Sequence, residues 1–306
     1  MDLAIMIEGQ NGLTWPRWQR LARLVEDLGF AGLYRSDHYT NGSPPDLESL
    51  ELWVSLTWLA AHTQRLQFGP LVSPVSFRQP TMTARMAAAV DDLSGGRLTL
   101  GLGAGWQVRE HHNYGWDLLE PGPRMARLQE ALEIIARLLH AAAPVTLEGR
   151  FFQVRDAVLL PRPQRPGGPP ILIGGNGPRR TLPLVAQYAS EWNAVFTSRE
   201  NLIKLNRQLD ELLAHNGRGP AAVRRSFMSG VHFGRDDAEV RRVLGGRDRE
   251  RLKDGGNLIG TAAECADQLA RLAEVGVQRV MLQWLALDDL DRLEAMGRAL
   301  VPLFSS

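Results

Sequence analysis

Short apolar segments alternate with segments of helical periodicity along the first half of the chain. The run "DLAIMI" has the length and composition of a buried strand, and "WPRWQRLARLVEDLG" follows it with apolar residues on one helix face. Thr14 is the predicted N-cap of that helix, and Gly29 ends it. The same unit recurs as "AGLYRSD" with "LESLELWVSLTWLAAHT" and as "RLQFGPLVSP" with "TMTARMAAAVDDL", and "RLTLGLG" begins a fourth unit.

The second half resumes this alternation after an interruption. The helical segment "RMARLQEALEIIARLLH" is followed by a proline-rich stretch around residues 144–170, whose alternation about Glu148 and Gly149 predicts an inserted hairpin and surface loop. Further strands are predicted at "ILIGG", "EWNAVF", "RRSFMSGVHF" and "VQRVMLQW", each followed by a helix, the first of them from Pro178. The polar, glycine-rich "RVLGGRDRERLKDGGN" predicts a mobile loop.

Eight such alternations predict a parallel sheet, because each helix returns the chain to the same edge before the next strand. A closed barrel accommodates eight units without leaving an edge, so the predicted fold is an α/β (β/α)₈ TIM barrel with inserted segments, formed as one domain by residues 1–306. A doubly wound open sheet is the alternative. Its G-x-G-x-x-G turn is missing after the first strand, which ends in Glu8, Gly9 and Gln10.

Composition narrows the partners and the compartment. The formal net charge of +1 gives no reason to expect nucleic acid or an anionic membrane as partner. The single cysteine, Cys265, excludes an internal disulfide and a cysteine-based metal site, and it falls on a predicted helix face. With no basic region and apolar run at the N-terminus and no long apolar span, a cytoplasmic location is expected.

The fourth strand ends in glycines, at Gly101, Gly103 and Gly105, which weaken a strand and add no packing. The carboxyl ends of barrel strands gather on one face, and that face holds the active site. A strand tip without Cβ atoms lets a flat ligand approach the backbone. The alternative is a tight turn with no ligand.

A second glycine-rich tip lies in "ILIGGNGPRRTLPLV". Free backbone N–H groups at such a turn, together with the positive end of the following helix, bind anions. Arg179 and Arg180 either add charge or are solvated surface residues. The residues predicted to hold a phosphate are Gly174, Gly175, Asn176 and Gly177.

Asp37 and His38 are adjacent directly after the second strand. A histidine exchanges protons near neutral pH, and a neighbouring carboxylate orients it and raises its pKa. An isolated histidine also commonly has a structural role. Glu110, His111 and His112 are consecutive and lack the i,i+4 spacing of helical metal ligands, so no metal site is predicted. No G-x-S-x-G nucleophile turn is present in the sequence.

Three segments together resemble one family: "GFAGLYRSDH", "FGPLVSPVSFRQPTMTARMAAAVDDLSGGRLTLGLGAGW" and "ILIGGNGPRRTLPLVAQYASEWN". They are similar to the bacterial luciferase-like monooxygenase superfamily, and specifically to its oxidoreductases that depend on the deazaflavin coenzyme F420. The likeness runs from about residue 3 to about residue 300. It implies a (β/α)₈ barrel with the coenzyme edge-on at the carboxyl mouth, a homodimer, and in some systems a separate reductase that supplies reduced cofactor.

The resemblance also implies roles for individual residues. His38 is expected to be the proton donor near the redox ring, with Asp37 beside it. Family members often have a non-prolyl cis peptide at the end of the third strand, here expected with Leu71 or Val72 as its second residue. The residues expected to bind the cofactor are Leu71, Val72, Ser73, Gly103, Ala104, Gly105, Trp106, Gly174, Gly175, Asn176, Gly177 and Asn193.

The expected reaction is hydride transfer between F420 and a small, apolar organic substrate. Alcohol-oxidising relatives have a glutamate directly after the fourth-strand glycines, where this chain has Trp106. The residues Trp106, Tyr39, Trp192 and Trp284 predict an aromatic substrate pocket, with core packing as the alternative. Two other functions stay open: an FMN-dependent monooxygenase that uses reduced flavin and O₂, and a ligand-binding barrel without catalysis, against which the glycines argue.

Overall fold

The apolar runs form parallel strands around a closed circle, flanked by amphipathic helices. The computed structural model describes residues 1–140 and 142–304. In these residues the strands are β1 (Asp2–Ile7), β2 (Gly32–Arg35), β3 (Gln67–Pro70), β4 (Ser73–Pro74), β5 (Leu100–Gly103), β6 (Val145–Glu148), β7 (Gln153–Ala157), β8 (Ile171–Gly174), β9 (Glu191–Val195), β10 (Arg224–Phe233), β11 (Leu258–Gly260) and β12 (Arg279–Gln283).

The helices in the same residues lie mostly between consecutive strands. They are α1 (Trp15–Asp27), α2 (Leu52–His62), α3 (Pro80–Leu93), α4 (Val108–Tyr114), α5 (Pro121–His140), α6 (Thr181–Tyr188), α7 (Arg199–His215), α8 (Asp237–Leu244), α9 (Arg249–Asp254), α10 (Ala262–Glu274) and α11 (Leu290–Phe304). None of the helices in the described part of the chain is long and apolar enough to span a membrane.

The sheet runs in the order β3-β2-β1-β12-β10-β9-β8-β5, with every neighbouring pair parallel. A parallel bridge joins Phe68 of β3 to Leu98, two residues before β5. This bridge closes the circle of strands. The predicted (β/α)₈ barrel is therefore confirmed. The predicted insertion is present as the antiparallel hairpin β6–β7 and the loop after it, outside the barrel sheet.

Apolar side chains fill both sides of the barrel wall. The larger cluster packs the strands against the helices, to which α1 contributes Trp18, Leu21 and Val25. A smaller cluster inside the barrel includes Met6 and Met228. Because strands of a parallel barrel are buried on both faces, they read in the sequence as continuous apolar runs.

Polar side chains close the amino end of the barrel interior. The guanidinium of Arg279 is completely buried and donates to the Tyr34 hydroxyl at 2.8 Å, to Glu191 at 3.2 Å and to Asp2 at 2.9 Å. A buried charge is tolerated when it is paired and hydrogen-bonded in this way. The opposite end of the barrel is left open for a ligand.

Several predicted boundaries were wrong. The second helix begins at Leu52, not near Leu47, because Glu51 accepts a hydrogen bond from the Val54 amide and caps it. Helix α6, which follows β8, begins at Thr181 rather than at the predicted Pro178. The segment predicted as a loop contains the end of α8 and all of α9, which Asp236 and Asp248 cap with their side chains. The helix α4 was not predicted.

Two glycines allow β3 and β5 to approach more closely than side chains permit. A Cβ at Gly69 would lie 1.9 Å from the Thr99 carbonyl oxygen, and a Cβ at Gly101 would lie 2.0 Å from the Pro70 carbonyl oxygen. Both contacts are with backbone, which cannot rotate away. Glycine at these positions is therefore a requirement for closing the barrel.

We expect Gly101→Ala to lower the free energy of unfolding by about 1–3 kcal/mol, the usual cost of overpacking a core. The matched control is Gly42→Ala, because a Cβ at Gly42 meets nothing within 4 Å. Urea denaturation of both variants measures the difference. Equal stability of the two variants would contradict this account of the β3–β5 contact.

Candidate active site

A cavity of about 650 Å³ opens at the carboxyl ends of the barrel strands. It is lined by residues at or directly after the ends of β1, β2, β3, β5, β8 and β9, together with Met228 inside β10, so the strand tips meet as the topology requires. Its lining residues are Met6, Glu8, Gln10, Ser36, His38, Leu71, Val72, Pro74, Gly103, Ala104, Gly105, Trp106, Met125, Leu128, Gly174, Gly175, Thr181, Asn193, Val195, Phe196 and Met228.

One wall of this cavity is a backbone bulge after β3. The peptide between Leu71 and Val72 is cis, with Val72 as the second residue, as predicted. The Leu71 amide still donates to the Arg35 carbonyl of β2 at 2.7 Å, whereas the Val75 amide donates to the Gly103 carbonyl of β5 at 3.0 Å. The bulge therefore marks the point where the chain changes its hydrogen-bonding partner from β2 to β5.

The glycines of the neighbouring strand tips accommodate this bulge. A Cβ at Gly103 would lie 2.5 Å from the Val72 side chain, and a Cβ at Gly174 would lie 3.2 Å from it. The missing side chains thus make room first for Val72, which then forms the cavity wall. Gly103 and Gly174 still line the cavity, and their role in binding a ligand stays a prediction.

His38 is held by a buried carboxylate on α4. Its Nδ1 lies 2.8 Å from Oε2 of Glu110, whose side chain is fully buried. The other oxygen of Glu110 accepts the backbone amides of Tyr39 at 2.5 Å and Thr40 at 3.2 Å. One carboxylate therefore fixes both the imidazole and the backbone that carries it.

Burial lowers the pKa of His38, but the hydrogen bond and the charge of Glu110 outweigh burial. The charges of Glu8 and Asp37 act in the same direction, so the pKa of His38 is raised above its ordinary value. An imidazole with a raised pKa holds its proton further toward neutral pH, as a proton donor requires.

Asp37 has different partners from those predicted. One of its oxygens accepts from the Ser73 hydroxyl at 2.7 Å and from Arg78 at 2.5 Å. Arg78 also donates to the Glu51 carboxylate at 2.7 Å and to the Tyr39 hydroxyl at 2.8 Å. Neither Asp37 nor Ser73 is among the cavity-lining residues. Asp37 therefore connects the segment after β2 to the bulge. The carboxylate that orients His38 is Glu110 and not, as expected, Asp37.

Sequence reasoning considered Glu110 only as a metal ligand. The signal that could have identified it is its place in the first turn of a helix directly after a glycine-rich strand tip, where Gln107 caps the helix. Its neighbour His111 points elsewhere and lies 2.8 Å from the Ser76 hydroxyl. Among the residues that the structure describes, no cluster of three or more potential ligands is arranged to hold a metal ion.

Glu8 is a second carboxylate that the sequence analysis did not select as a site residue. It lines the cavity and accepts from Gln283 at 2.7 Å and from Gln10 at 3.0 Å. Gln10 in turn accepts from the Ser36 hydroxyl at 2.8 Å. This chain of hydrogen bonds ties the tips of β1, β2 and β12 together beside His38.

The tip of β8 is held in place by β9. The Asn176 amide donates to the Val195 carbonyl at 2.6 Å and accepts the Val195 amide at 2.9 Å, while the indole of Trp192 donates to the Gly175 carbonyl at 2.9 Å. Gly174, Gly175 and Thr181 line the cavity, but Asn176 and Gly177 do not. Their phosphate-binding role stays a prediction.

The aromatic residues separate into core and mouth. Trp192 and Trp284 are buried, at 0% and 1% exposure, so for them the core-packing alternative holds. Tyr39 packs among Phe77, Tyr114 and Trp116. Trp106 is 65% exposed and lies edge-on to His38 with ring centroids 5.5 Å apart. Trp106 is therefore the one of the four predicted aromatics whose ring stands open at the mouth.

Asn193 lines the cavity and has one side-chain oxygen without a partner among the described residues. Its Nδ2 donates to the Ser226 hydroxyl at 3.0 Å, whereas its buried Oδ1 has no hydrogen-bond partner within the described residues. A buried polar atom without a partner costs free energy. A ligand with an N–H group at this point would satisfy it.

The fold and this cavity define a barrel protein whose ligand site lies at the carboxyl ends of its strands. The chain belongs to the luciferase-like monooxygenase family, whose family model matches residues 1–254. The resemblance seen in the sequence is thereby confirmed.

Curated relatives include both monooxygenases and F420-dependent enzymes. The chain is 32% identical over 179 residues to a 4-hydroxyprotoasukamycin monooxygenase of Streptomyces nodosus subsp. asukaensis, an alignment that covers 58% of this chain and 47% of the relative. It is 28% identical over 278 residues to an F420-dependent glucose-6-phosphate dehydrogenase of Kineococcus radiotolerans, covering 87% and 77%. The chain thus spans about half the length of the first of these relatives.

Solved structures share the fold at low identity. An F420-dependent secondary alcohol dehydrogenase in complex with an F420-acetone adduct superposes with a TM-score of 0.86 at 17% identity, covering 100% of this chain and 99% of that one. A riboflavin lyase with modified FMN and riboflavin superposes with a TM-score of 0.81 at 15% identity, covering 99% and 91%.

We expect Glu110→Gln to lower the pKa of His38, because the variant removes the negative charge while keeping an oxygen for the amides of Tyr39 and Thr40. Glu110 raises the pKa of His38 in the folded state, so the ion pair stabilises the fold while the imidazole is protonated. This stabilisation is lost as the pH rises through the folded-state pKa. In the variant this loss moves to lower pH. Titration of the His38 ring signals by NMR measures the shift.

The control is Glu120→Gln, an exposed carboxylate that takes no part in the His38 environment. It should leave the His38 titration unchanged. An unchanged titration in Glu110→Gln as well would show that Glu110 does not set the protonation of His38.

Proposed function

We propose that the protein transfers a hydride between the deazaflavin coenzyme F420 and a small organic substrate. The observation that carries the proposal is the pairing of His38 with the buried Glu110, which places a hydrogen-bonded imidazole in the lining of a largely apolar cavity at the strand tips. The F420-dependent names of one relative and one structural neighbour support this coenzyme. One domain over residues 1–306, a homodimer and a separate reductase stay predictions.

The residues of the cavity fit a flat tricyclic ring with a phosphate tail. The bulge at Val72 would provide a wall for the ring, and Asn193, whose Oδ1 has no partner among the described residues, would offer an acceptor to a ring N–H. The Thr181 hydroxyl, which lines the cavity beside the glycine tip of β8, would supply a donor for a phosphate. When bound, the deazaflavin supplies a carbon centre that takes or gives a hydride.

His38 manages the proton that accompanies the hydride. Its Nδ1 is fixed on Glu110, which leaves Nε2 as the ring nitrogen that faces a substrate. The raised pKa favours the protonated imidazole, which is the form that can give a proton to a substrate oxygen or carbon. Glu110 acts through His38 and is therefore a positioning residue.

The remaining lining selects the substrate body. Met6, Leu71, Met125 and Met228 are apolar, and Trp106 covers the mouth beside His38. Trp106 cannot exchange a proton, so a reaction that needs a second acid or base at this position is disfavoured. The apolar enclosure favours reduction of an unsaturated or carbonyl compound that is held against the ring.

The second candidate is an FMN-dependent monooxygenase that uses reduced flavin and O₂. It is favoured by the monooxygenase relative and by the FMN-containing neighbour of the same fold. The two candidates differ in oxygen consumption, since only the monooxygenase consumes O₂ in proportion to product. A ligand-binding barrel without catalysis is the third, and it predicts turnover with neither coenzyme.

We expect the protein to bind F420 more tightly than FMN, and Asn193→Ala to weaken F420 binding about tenfold, the value of one hydrogen bond to a buried acceptor. Asn206→Ala is the matched control, because Asn206 also donates through Nδ2, to the Val275 carbonyl, and also has an unpartnered buried Oδ1, but lies outside the cavity. Fluorescence titration of both coenzymes measures the affinities.

Tight binding of FMN alone, with O₂ uptake, would replace the deazaflavin by the flavin. Equal F420 affinity in the two asparagine variants would contradict the role given to Asn193. Binding of neither coenzyme to the unaltered protein would overturn the oxidoreductase proposal.

His38→Gln should retain coenzyme affinity and lose turnover by about 10²–10⁴, the usual contribution of a positioned general acid. Steady-state kinetics with an accepted substrate and the same titration separate the two effects. His112→Gln changes an exposed histidine of α4 and should leave both unchanged. Full turnover in His38→Gln would remove the imidazole from the reaction.

A further inference from the structure

A second cleft, of about 820 Å³, lies beside the coenzyme cavity above the carboxyl ends of β10 and β12. Phe196 lines both spaces, and Gln283 of the second cleft donates to Glu8 of the first. Phe196 has a left-handed backbone, with φ of 41°, and the residue is 40% exposed. The two spaces are therefore neighbours on the same face of the barrel, with one aromatic ring between them.

The second cleft carries an excess of positive charge. Its lining includes the guanidinium groups of Arg247, Arg251 and Arg292 but a single carboxylate, that of Asp248. Asp248 is occupied at the start of α9, where it accepts the amides of Glu250 and Arg251.

The three arginines are not equally satisfied. Arg292 pairs with Asp289 at 2.7 Å and stacks on Trp284, and Arg247 donates to the carbonyls of Leu244 and Val243. These contacts hold two guanidinium groups in place. The guanidinium of Arg251 makes no hydrogen bond or ion pair with the residues that the structure describes, so its five N–H donors are available to a ligand.

The field of this cleft also acts on the buried His232. Burial lowers the pKa of His232, and the charges of Arg247 and Arg292 lower it further, while a hydrogen bond with Asn257 opposes them. The lowered pKa favours the neutral imidazole, and His232 and the Asn257 amide are polar side chains that line the cleft beside the arginines. Arginines beside neutral polar groups suit a phosphate or carboxylate, which guanidinium groups bind through paired hydrogen bonds.

We propose that this arginine cleft binds an anionic group, carboxylate or phosphate, of the substrate whose reacting end lies in the coenzyme cavity. This inference rests on the proposed function. It refines the predicted substrate from an apolar compound to an apolar body with an anionic end, which passes Phe196 between the two spaces. Arg251 is the main specificity-determining residue, because its guanidinium is the one of the three without a hydrogen-bond or ion-pair partner among the described residues.

The test is a calorimetric titration of the coenzyme-free protein with inorganic phosphate at low ionic strength. We expect Arg251→Gln to weaken phosphate binding at least tenfold, since it removes a guanidinium that makes no hydrogen bond or ion pair with the described residues. Arg241→Gln is the matched control, because Arg241 is an exposed arginine of α8 that does not line the cleft. It should bind phosphate as the unaltered protein does.

Phosphate could also bind at the tip of β8, so Thr181→Val is titrated in parallel. Phosphate affinity lost in Thr181→Val and kept in Arg251→Gln would overturn the proposal. F420 and FMN titrations of Arg251→Gln form the second arm, and unchanged coenzyme affinity is expected. A parallel loss of coenzyme affinity would show that the cleft holds the coenzyme's own phosphate and would also overturn the proposal.

The failure of the proposed function is distinguishable from the failure of this inference. If neither coenzyme binds the unaltered protein while phosphate binding still depends on Arg251, the redox assignment fails and the anion site is supported. If the coenzyme binds and phosphate is held equally by Arg251→Gln and the unaltered protein, the redox assignment is supported and the anion site fails.

Discussion

The close approach of β3 and its bulge to β5 is the constraint on which both the barrel and the cavity depend. The circle closes only where Gly69 lies against the Thr99 carbonyl and Gly101 against the Pro70 carbonyl. The bulge then carries Val72 over Gly103, which makes a valine and a cis peptide the wall of the cavity. The same residues therefore close the barrel and shape the cavity. A side chain at Gly101 or Gly103 would displace Val72 and its bulge as well as the strand.

Buried charges organise the rest of the mouth. Arg35 is buried, and burial lowers its pKa to about 10 although the nearby acids oppose this. It donates to the Leu50 carbonyl and the Ser55 hydroxyl, and thereby ties the tip of β2 to the start of α2. Arg78 and Asp37 hold the same segment from the other side. Polar networks that are satisfied in this way specify one arrangement, which keeps the imidazole of His38 in place before any ligand arrives.

The fold could be predicted from the sequence because the periodicity of apolar residues is a local property of each segment. Alternating strands and helices, read from apolar spacing, predict a parallel barrel without knowledge of any contact. The same reasoning selected His38, which lies directly after a strand, whereas the position of the bulge came from the family resemblance. It misassigned Asp37, because adjacency in sequence says nothing about which way two side chains point, and Asp37 turns to Arg78. The true partner of His38 lies 72 positions away on α4, and only the folded chain brings Glu110 to it.

The arginine cleft shows a further limit of local patterns. "RVLGGRDRERLKDGGN" looks like an unstructured loop because it is polar and rich in glycine, yet two capped helices form within and beside it. Arg251 of α9, Arg292 of α11 and His232 of β10 line the same cleft. Residues distant in sequence thus create a positive field next to an apolar cavity, and Phe196 lies where the two meet. A substrate that spans both would be oriented at two points, which fixes the reacting atoms against the ring more firmly than apolar contact alone.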